Sequence, residues 1–225
     1  MNTHTYYTAL GHFRRRTTGL GRSYPVIIIN QQEYDVDIQE MALWTALNWR
    51  LLDFPQVRAE YEKLEQDCVI PARRTLENCL GRLCTRGLVA SGTGGTDFET
   101  LYDLLGGLYV SPLSESLPLR LAAFLKLTVL KGVSISKARE LLQKDRPSEE
   151  EAQVMALSRQ ALLSTAELGV RDISIDEKLM DALYNDEDTT SDNIADMMLT
   201  AKNRERITAA VANLYLRKQI IFQRV

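Results

Sequence analysis

The sequence predicts an α+β fold, mainly helical with short β-hairpins, built as two units joined by a helical connector. Three observations point there: a β-branched run with strand alternation over 26–38, helical apolar spacing over most of 38–85 and 117–169, and a last fifty residues that echo the first domain. With 225 residues, 45% hydrophobic and 25% charged, the chain has room for one large domain or two small ones. The expected boundaries are a basic N-terminal arm over 1–23, a first domain over 24–113, a connector over 114–170 and a second unit over 171–225.

The arm holds Arg14, Arg15, Arg16 and Arg22 and no acid, in a chain whose net charge is −3. An arm of that charge can reach phosphates, through Arg14, Arg15 and Arg16, or dock on the protein's own acidic surface. After it, Val26–Ile29 and the alternation of Tyr34, Val36 and Ile38 with Glu33, Asp35 and Asp37 predict a hairpin turning at Asn30-Gln31-Gln32. Asp37 then caps a helix running through IQEMALWTALNWRLLD, with Glu40 three residues on completing a capping box. Met41, Leu43, Trp44, Leu47, Leu51 and Leu52 give that helix a wide apolar stripe, so it carries the first core, with Trp44 and Trp49 as anchors. Pro55 opens a second short helix with Val57, Tyr61 and Leu64 inward, and Cys68–Ile70 make a turn.

Pro71 opens the central helix, PARRTLENCLGRLCTRGLVAS. Leu76, Cys79, Leu80 and Leu83 fall within about 100° on a helical wheel, and Gly87 stops the helix before an extended Leu88-Val89. The opposite side carries Arg74, Asn78, Gly81 and Thr85, flanked by Glu77 and Arg82, a small, polar and mostly basic face that fits a groove. SGTGGTD then reads as a flexible loop; no Lys-Ser or Lys-Thr pair follows its glycines, as a phosphate-binding loop requires. A helix over DFETLYDLL and a returning strand over Leu108–Val110 complete the domain.

From Ile38 to Pro112 this pattern resembles the winged helix-turn-helix superfamily, in which a third helix of form xxTLxxxLxxLxxRGLV enters the DNA major groove. The resemblance implies a wing at SGTGGTD and DNA contacts from Arg73, Arg74, Asn78 and Arg82, as in dimeric MarR-like transcription regulators. The wing here departs from the pattern, since Asp97, Glu99 and Asp103 follow it and no basic residue comes before Arg120.

In the connector, LPLRLAAFLKLTVLKG is nearly apolar all round, SISKARELLQKD is a short amphipathic helix, and SEEEAQVMALSRQALLSTAELG starts at Ser148 as cap with Glu149, Glu150 and Glu151 in its first turn. The acids match the helix dipole; three consecutive residues cannot face one metal ion. The last unit repeats the theme with IDEKLMDALYND, TSDNIADMML, a long helix through Ile207, Val211 and Leu214, and a strand over Gln219–Gln223. We expect a second winged-helix-like unit, so the fold class extends to tandem units of that kind. Its third helix turns Glu205, Ala209, Ala212 and Leu216 outward, a face suited to a protein partner or self-association, while Lys202, Arg204, Arg206, Arg217 and Lys218 could grip phosphates.

The remaining features exclude more than they assign. Both histidines, His4 and His12, sit in the expected arm, and no GxSxG, HExxH or Walker-type motif occurs, so the chain reads as no enzyme, with no cofactor and no metal. The three cysteines, Cys68, Cys79 and Cys84, read as buried thiols. No apolar run reaches the roughly 18 residues of a membrane span, and MNTHTYYTAL is no signal peptide, which places the chain in the cytoplasm without a membrane partner. Two functions follow: a DNA-binding transcription regulator with double-stranded DNA as partner, or a protein-interaction scaffold of tandem winged helices, as in subunits that dock on chromosome-organising or membrane-trafficking complexes.

Overall fold

A computed structural model describes residues 3–17, 19, 21, 23–67, 74–113, 147–174 and 189–224. Over them the fold is mixed α+β, with seven helices and three small antiparallel sheets. The apolar segment 117–132, the SISKARELLQKD and IDEKLMDALYND helices, Pro71, Arg73, Arg22 and Cys68 lie outside the described residues.

The expected arm is a correction: His4–Ala9 (β1) and His12–Thr17 (β2) are strands. TYYTAL has the β-branched and aromatic content of a strand, and the chain buries it, with Thr8, Ala9 and Leu10 each at 2% exposure or less. Both histidines therefore belong to the folded part. Ser23–Ile29 (β3) and Gln32–Asp35 (β4) form the expected hairpin, turning on Asn30 and Gln31, both at positive φ, and β2 adds to it on the far side of β3.

Asp37 caps Ile38–Leu47 (α1), and the capping box with Glu40 forms in full. The helix stops at Leu47 rather than running to Asp53, because Leu52–Asp53 (β5) pairs with β1. Phe54–Asp67 (α2) follows, then Leu76–Thr85 (α3). The cap of α3 is Thr75, whose hydroxyl accepts from Asn78 N, so Arg74 precedes the helix instead of lying on its face. Gly87 ends α3 at φ +69, where a side chain would be strained, and Val89–Gly94 (β6) leaves from there.

β6 pairs along its length with β1, His4 opposite Gly94 and Ala9 opposite Val89. Asp97–Leu105 (α4) follows, and Tyr109–Pro112 (β7) enters a different sheet. The loop-and-return hairpin expected as a wing is thus absent from the described residues: the strand after α3 has the N-terminal strand as its partner. The second sheet joins β7 to Leu163–Ser164 (β8) and Ile220–Gln223 (β9). Between these strands lie Glu149–Gln160 (α5), Thr165–Ser174 (α6) and Thr189–Leu216 (α7). Two expectations change here. The helix opened by Ser148 breaks at Ala161 to make β8, and TSDNIADMML continues without interruption into the long α7.

The two sheets share one plan, β5-β1-β6 and β8-β7-β9. In each, the first strand is central, flanked by a two-residue strand between the first two helices and by the strand after the third. The correspondence reaches single residues. The capping boxes Asp37/Glu40 and Ser148/Glu151 recur 111 positions apart (37 to 148, 40 to 151), as do the side-chain caps Asp53/Gln56 and Ser164/Glu167 (53 to 164, 56 to 167). The third helices end alike: Leu88 N donates to Leu83 O at 2.9 Å beside Gly87, and Gln219 N to Leu214 O at 2.9 Å beside Lys218, both Gly87 and Lys218 in the left-handed region. The second unit therefore starts at β7, not at 171, and the expected connector helix is its first helix. One continuous core runs through both units, from Leu10, Trp44 and Leu83 to Val154, Val211 and Phe222.

Candidate functional site

The outer face of α3 exposes Asn78, Gly81, Arg82 and Thr85, as the sequence indicates. Its basic groups, however, turn back on the protein. Glu40, from the first turn of α1, is 2% exposed and accepts from Arg82 Nε at 3.0 Å and from Arg86 Nη1 at 2.9 Å. Arg86 also donates to Asp35 O. Arg74 Nη1 lies 2.6 Å from Asp37 Oδ2, and the Arg74 carbonyl accepts from Gln39 Nε2 at 2.8 Å. Burial pushes the Asp37 carboxyl upward, but hydrogen bonds from Glu40 N and Arg74 outweigh it, so the pKa lies below its usual value. The α1 capping box is thus the anchor of the α3 arginines. Sequence spacing shows the box but not its second use, since Glu40 and Arg86 are 46 positions apart.

Of the other expected contacts, Arg14, Arg15 and Arg16 lie on β2, and Arg73 is outside the described residues. Arg16 is engaged with Glu33 across the sheet, through Nε at 2.9 Å and through Nη2. Between β2 and α3 stand the acids of β4 and its exit, Glu33, Asp35 and Asp37. Arg16 on β2 and the arginines at α3 pair with different acids, Arg16 with Glu33, Arg74 with Asp37 and Arg82 with Glu40. In the second unit, Glu151 repeats the role of Glu40: it is 3% exposed and accepts from Arg217 at 2.9 Å. Glu150 pairs with Arg206 at 2.6 Å, which holds its carboxyl down at about 2. Of the outward face expected on α7, Glu205, Ala209 and Leu216 are exposed, but Ala212 is buried at 7%, because α7 packs against α4, α5 and α6.

A second feature was not legible as a site. A groove of about 990 Å³ opens between the β2–β3 face and α1. Phe13, Tyr24, Ile38, Met41, Trp44 and Trp49 line it, and Phe13, Tyr24 and Ile38 are exposed at 45%, 40% and 60%. Leaving that much large apolar surface in water is unusual away from an interaction site. Phe13 stood in the sequence beside three arginines, and only the strand period puts it on one face with Arg15 and Pro25.

Cys79 is fully buried and Cys84 partly so, and burial pushes both thiols up to about 11, which suits packing and not nucleophilic chemistry. Among the described residues no His, Cys, Asp and Glu group could hold a metal ion, and no helix is long and apolar enough to cross a membrane. Comparisons with family models, curated proteins and solved structures found no match to this chain.

Proposed function

We propose that this chain is a non-enzymatic protein-interaction module, built from two winged-helix-like units in tandem. The observation that carries the reading is the pairing of Arg82 and Arg86 with the buried Glu40. A good base contact from an arginine is worth about 1–3 kcal/mol of discrimination. Because Arg82 is half exposed, its bond to Glu40 contributes about 1 kcal/mol or less, and leaving Glu40 for a base offsets part of that gain. The acids between β2 and α3 oppose a phosphate backbone, whereas the groove beside α1 offers apolar side chains already facing water. Duplication supports the same reading, since it gives one chain two docking frames of similar build.

The experiment is site-specific photo-crosslinking in cells that express the protein, with benzoyl-phenylalanine placed at Ile38 or at Asn78. The module reading expects discrete protein crosslinks from Ile38 and no nucleic acid from Asn78. DNA crosslinks from Asn78 would overturn it. A second reading, DNA binding, is favoured by one observation: Asn78, Gly81 and Thr85 form an open polar strip on α3, and the Arg82 side chain is 54% exposed. It expects the opposite result.

A further inference from the structure

We infer that the groove between β2–β3 and α1 docks a partner-protein segment that combines apolar and acidic side chains. The inference rests on the interaction-module reading and names the surface and the chemistry of the partner. Three of the six large hydrophobic residues that stand exposed among the described residues, Phe13, Tyr24 and Ile38, converge on this one groove. Its volume, about 990 Å³, is at the upper end of small-molecule sites, so it takes several side chains at once. Trp49, half-buried, forms part of the lining above the buried Trp44, and exposed aromatic surface is where interface energy concentrates.

Charge sets the partner's sign. The described lining holds Arg15 and not one Asp or Glu, although acids outnumber Lys and Arg over the chain, 30 to 27; burial lowers the pKa of His12, so Arg15 supplies the charge. Arg15 is exposed at the rim, and no ion pair within 4 Å is found for it among the described residues. Polar groups in the lining, Thr45 and Asn48 on the α1 side, can bond a backbone passing over them. A segment bearing carboxylates beside apolar side chains meets both features, and a basic one meets Arg15 with like charge.

The test is selection of a displayed random library of peptides of about 12 residues on the full chain, with counter-selection on Ile38→Asp. Ile38 is at the first turn of α1 and 60% exposed, so aspartate there removes groove surface without entering the core. The expected result is enrichment of apolar sequences with net negative charge. Their affinity should fall at least about tenfold on Arg15→Glu, and the same selection repeated on Arg15→Glu should enrich basic sequences instead. Enrichment without a charge bias, enrichment of basic peptides on the parent, or no enrichment over Ile38→Asp would each overturn the inference; the last is also the outcome if the protein's own chain fills the groove. Discrete protein crosslinks from Ile38 without an acidic bias in the library would overturn the inference and leave the module reading standing, whereas DNA crosslinks from Asn78 remove the module reading whatever the library yields.

Discussion

Arg82 donates through Nε to Glu40 Oε1 at 3.0 Å, which ties the outer face of α3 to a carboxylate that is itself 2% exposed. Glu40 also closes the capping box of α1 and receives Arg86, so one buried acid fixes the start of α1 and the end of α3 together. The cost of breaking this cluster depends on which partner goes. Arg82→Ala leaves Arg86 to satisfy the charge, so it should destabilise by about 1 kcal/mol or less, since Arg82 is half exposed. The double variant Arg82→Ala, Arg86→Ala strands a buried carboxylate and should cost about 3–5 kcal/mol, more than the two single losses added together. Urea unfolding of the four proteins measures this, and simple additivity would show that Glu40 does not need them.

Much of this arrangement was legible locally and little of it at long range. Asp37, Glu40, Ser148 and Gly87 mark helix ends by chemistry that acts within four residues, and the caps and the stop fall there, whereas the cap of α3 is Thr75 and not the expected start at Pro71. The strand partners did not follow, because β1 meets β6 across 80 or more positions, and nothing in HTYYTA says that its mate lies at 89–94. The N-terminal segment carries three arginines, but the burial of Thr8, Ala9 and Leu10 and not that charge decides its fold. The wing was expected from RGLV, a motif that fixes the strand after α3 but not what pairs with it. The α3 face was legible by helical period; that its arginines bend back to Glu40 was not.

Tyr215 joins the two units. Its phenol donates to Ala9 O at 3.2 Å, accepts from Trp49 N at 2.9 Å and lies 2.8 Å from the Thr8 hydroxyl. Tyr215→Phe should therefore cost about 1–3 kcal/mol, because it removes the acceptor of Trp49 N, while the Thr8 hydroxyl keeps the Arg50 carbonyl as a partner. Calorimetry should show one transition at lower temperature; a variant as stable as the parent would mean that the phenol is not the link.

The same phenol gives a pH dependence. Burial pushes Tyr215 up to about 12 from an ordinary 10.0, against the lowering effect of its bonds with Thr8 and Trp49 N. Between these values the folded state holds a proton that the unfolded state has lost. Its contribution is present in full below pH 10 and is lost as pH rises towards 12. In denaturant titrations over that window, Tyr215→Phe should lose stability less steeply than the parent. Equal slopes would argue that the phenol titrates normally.

Two glycines in the same domain should respond in opposite ways. A Cβ at Gly92 would come within 2.2 Å of Leu104 N, since α4 lies directly on β6, whereas one at Gly81 meets nothing within 4 Å. Gly92→Ala should destabilise by about 1–3 kcal/mol or more. Gly81→Ala, on the exposed face of a helix, should stabilise by up to about 1 kcal/mol. Melting temperatures that move the same way would place α4 or the α3 face wrongly.

If the α3 arginines hold the protein and not DNA, duplex titration should show it. Fluorescently labelled random duplex is titrated at about 50 and 200 mM salt, because contacts to phosphates must weaken over that range. The expected result is no saturable binding at micromolar protein in the low salt, and no change on Arg82→Ala. Micromolar or tighter binding that falls with salt, and falls further when Arg82 is replaced, would contradict it.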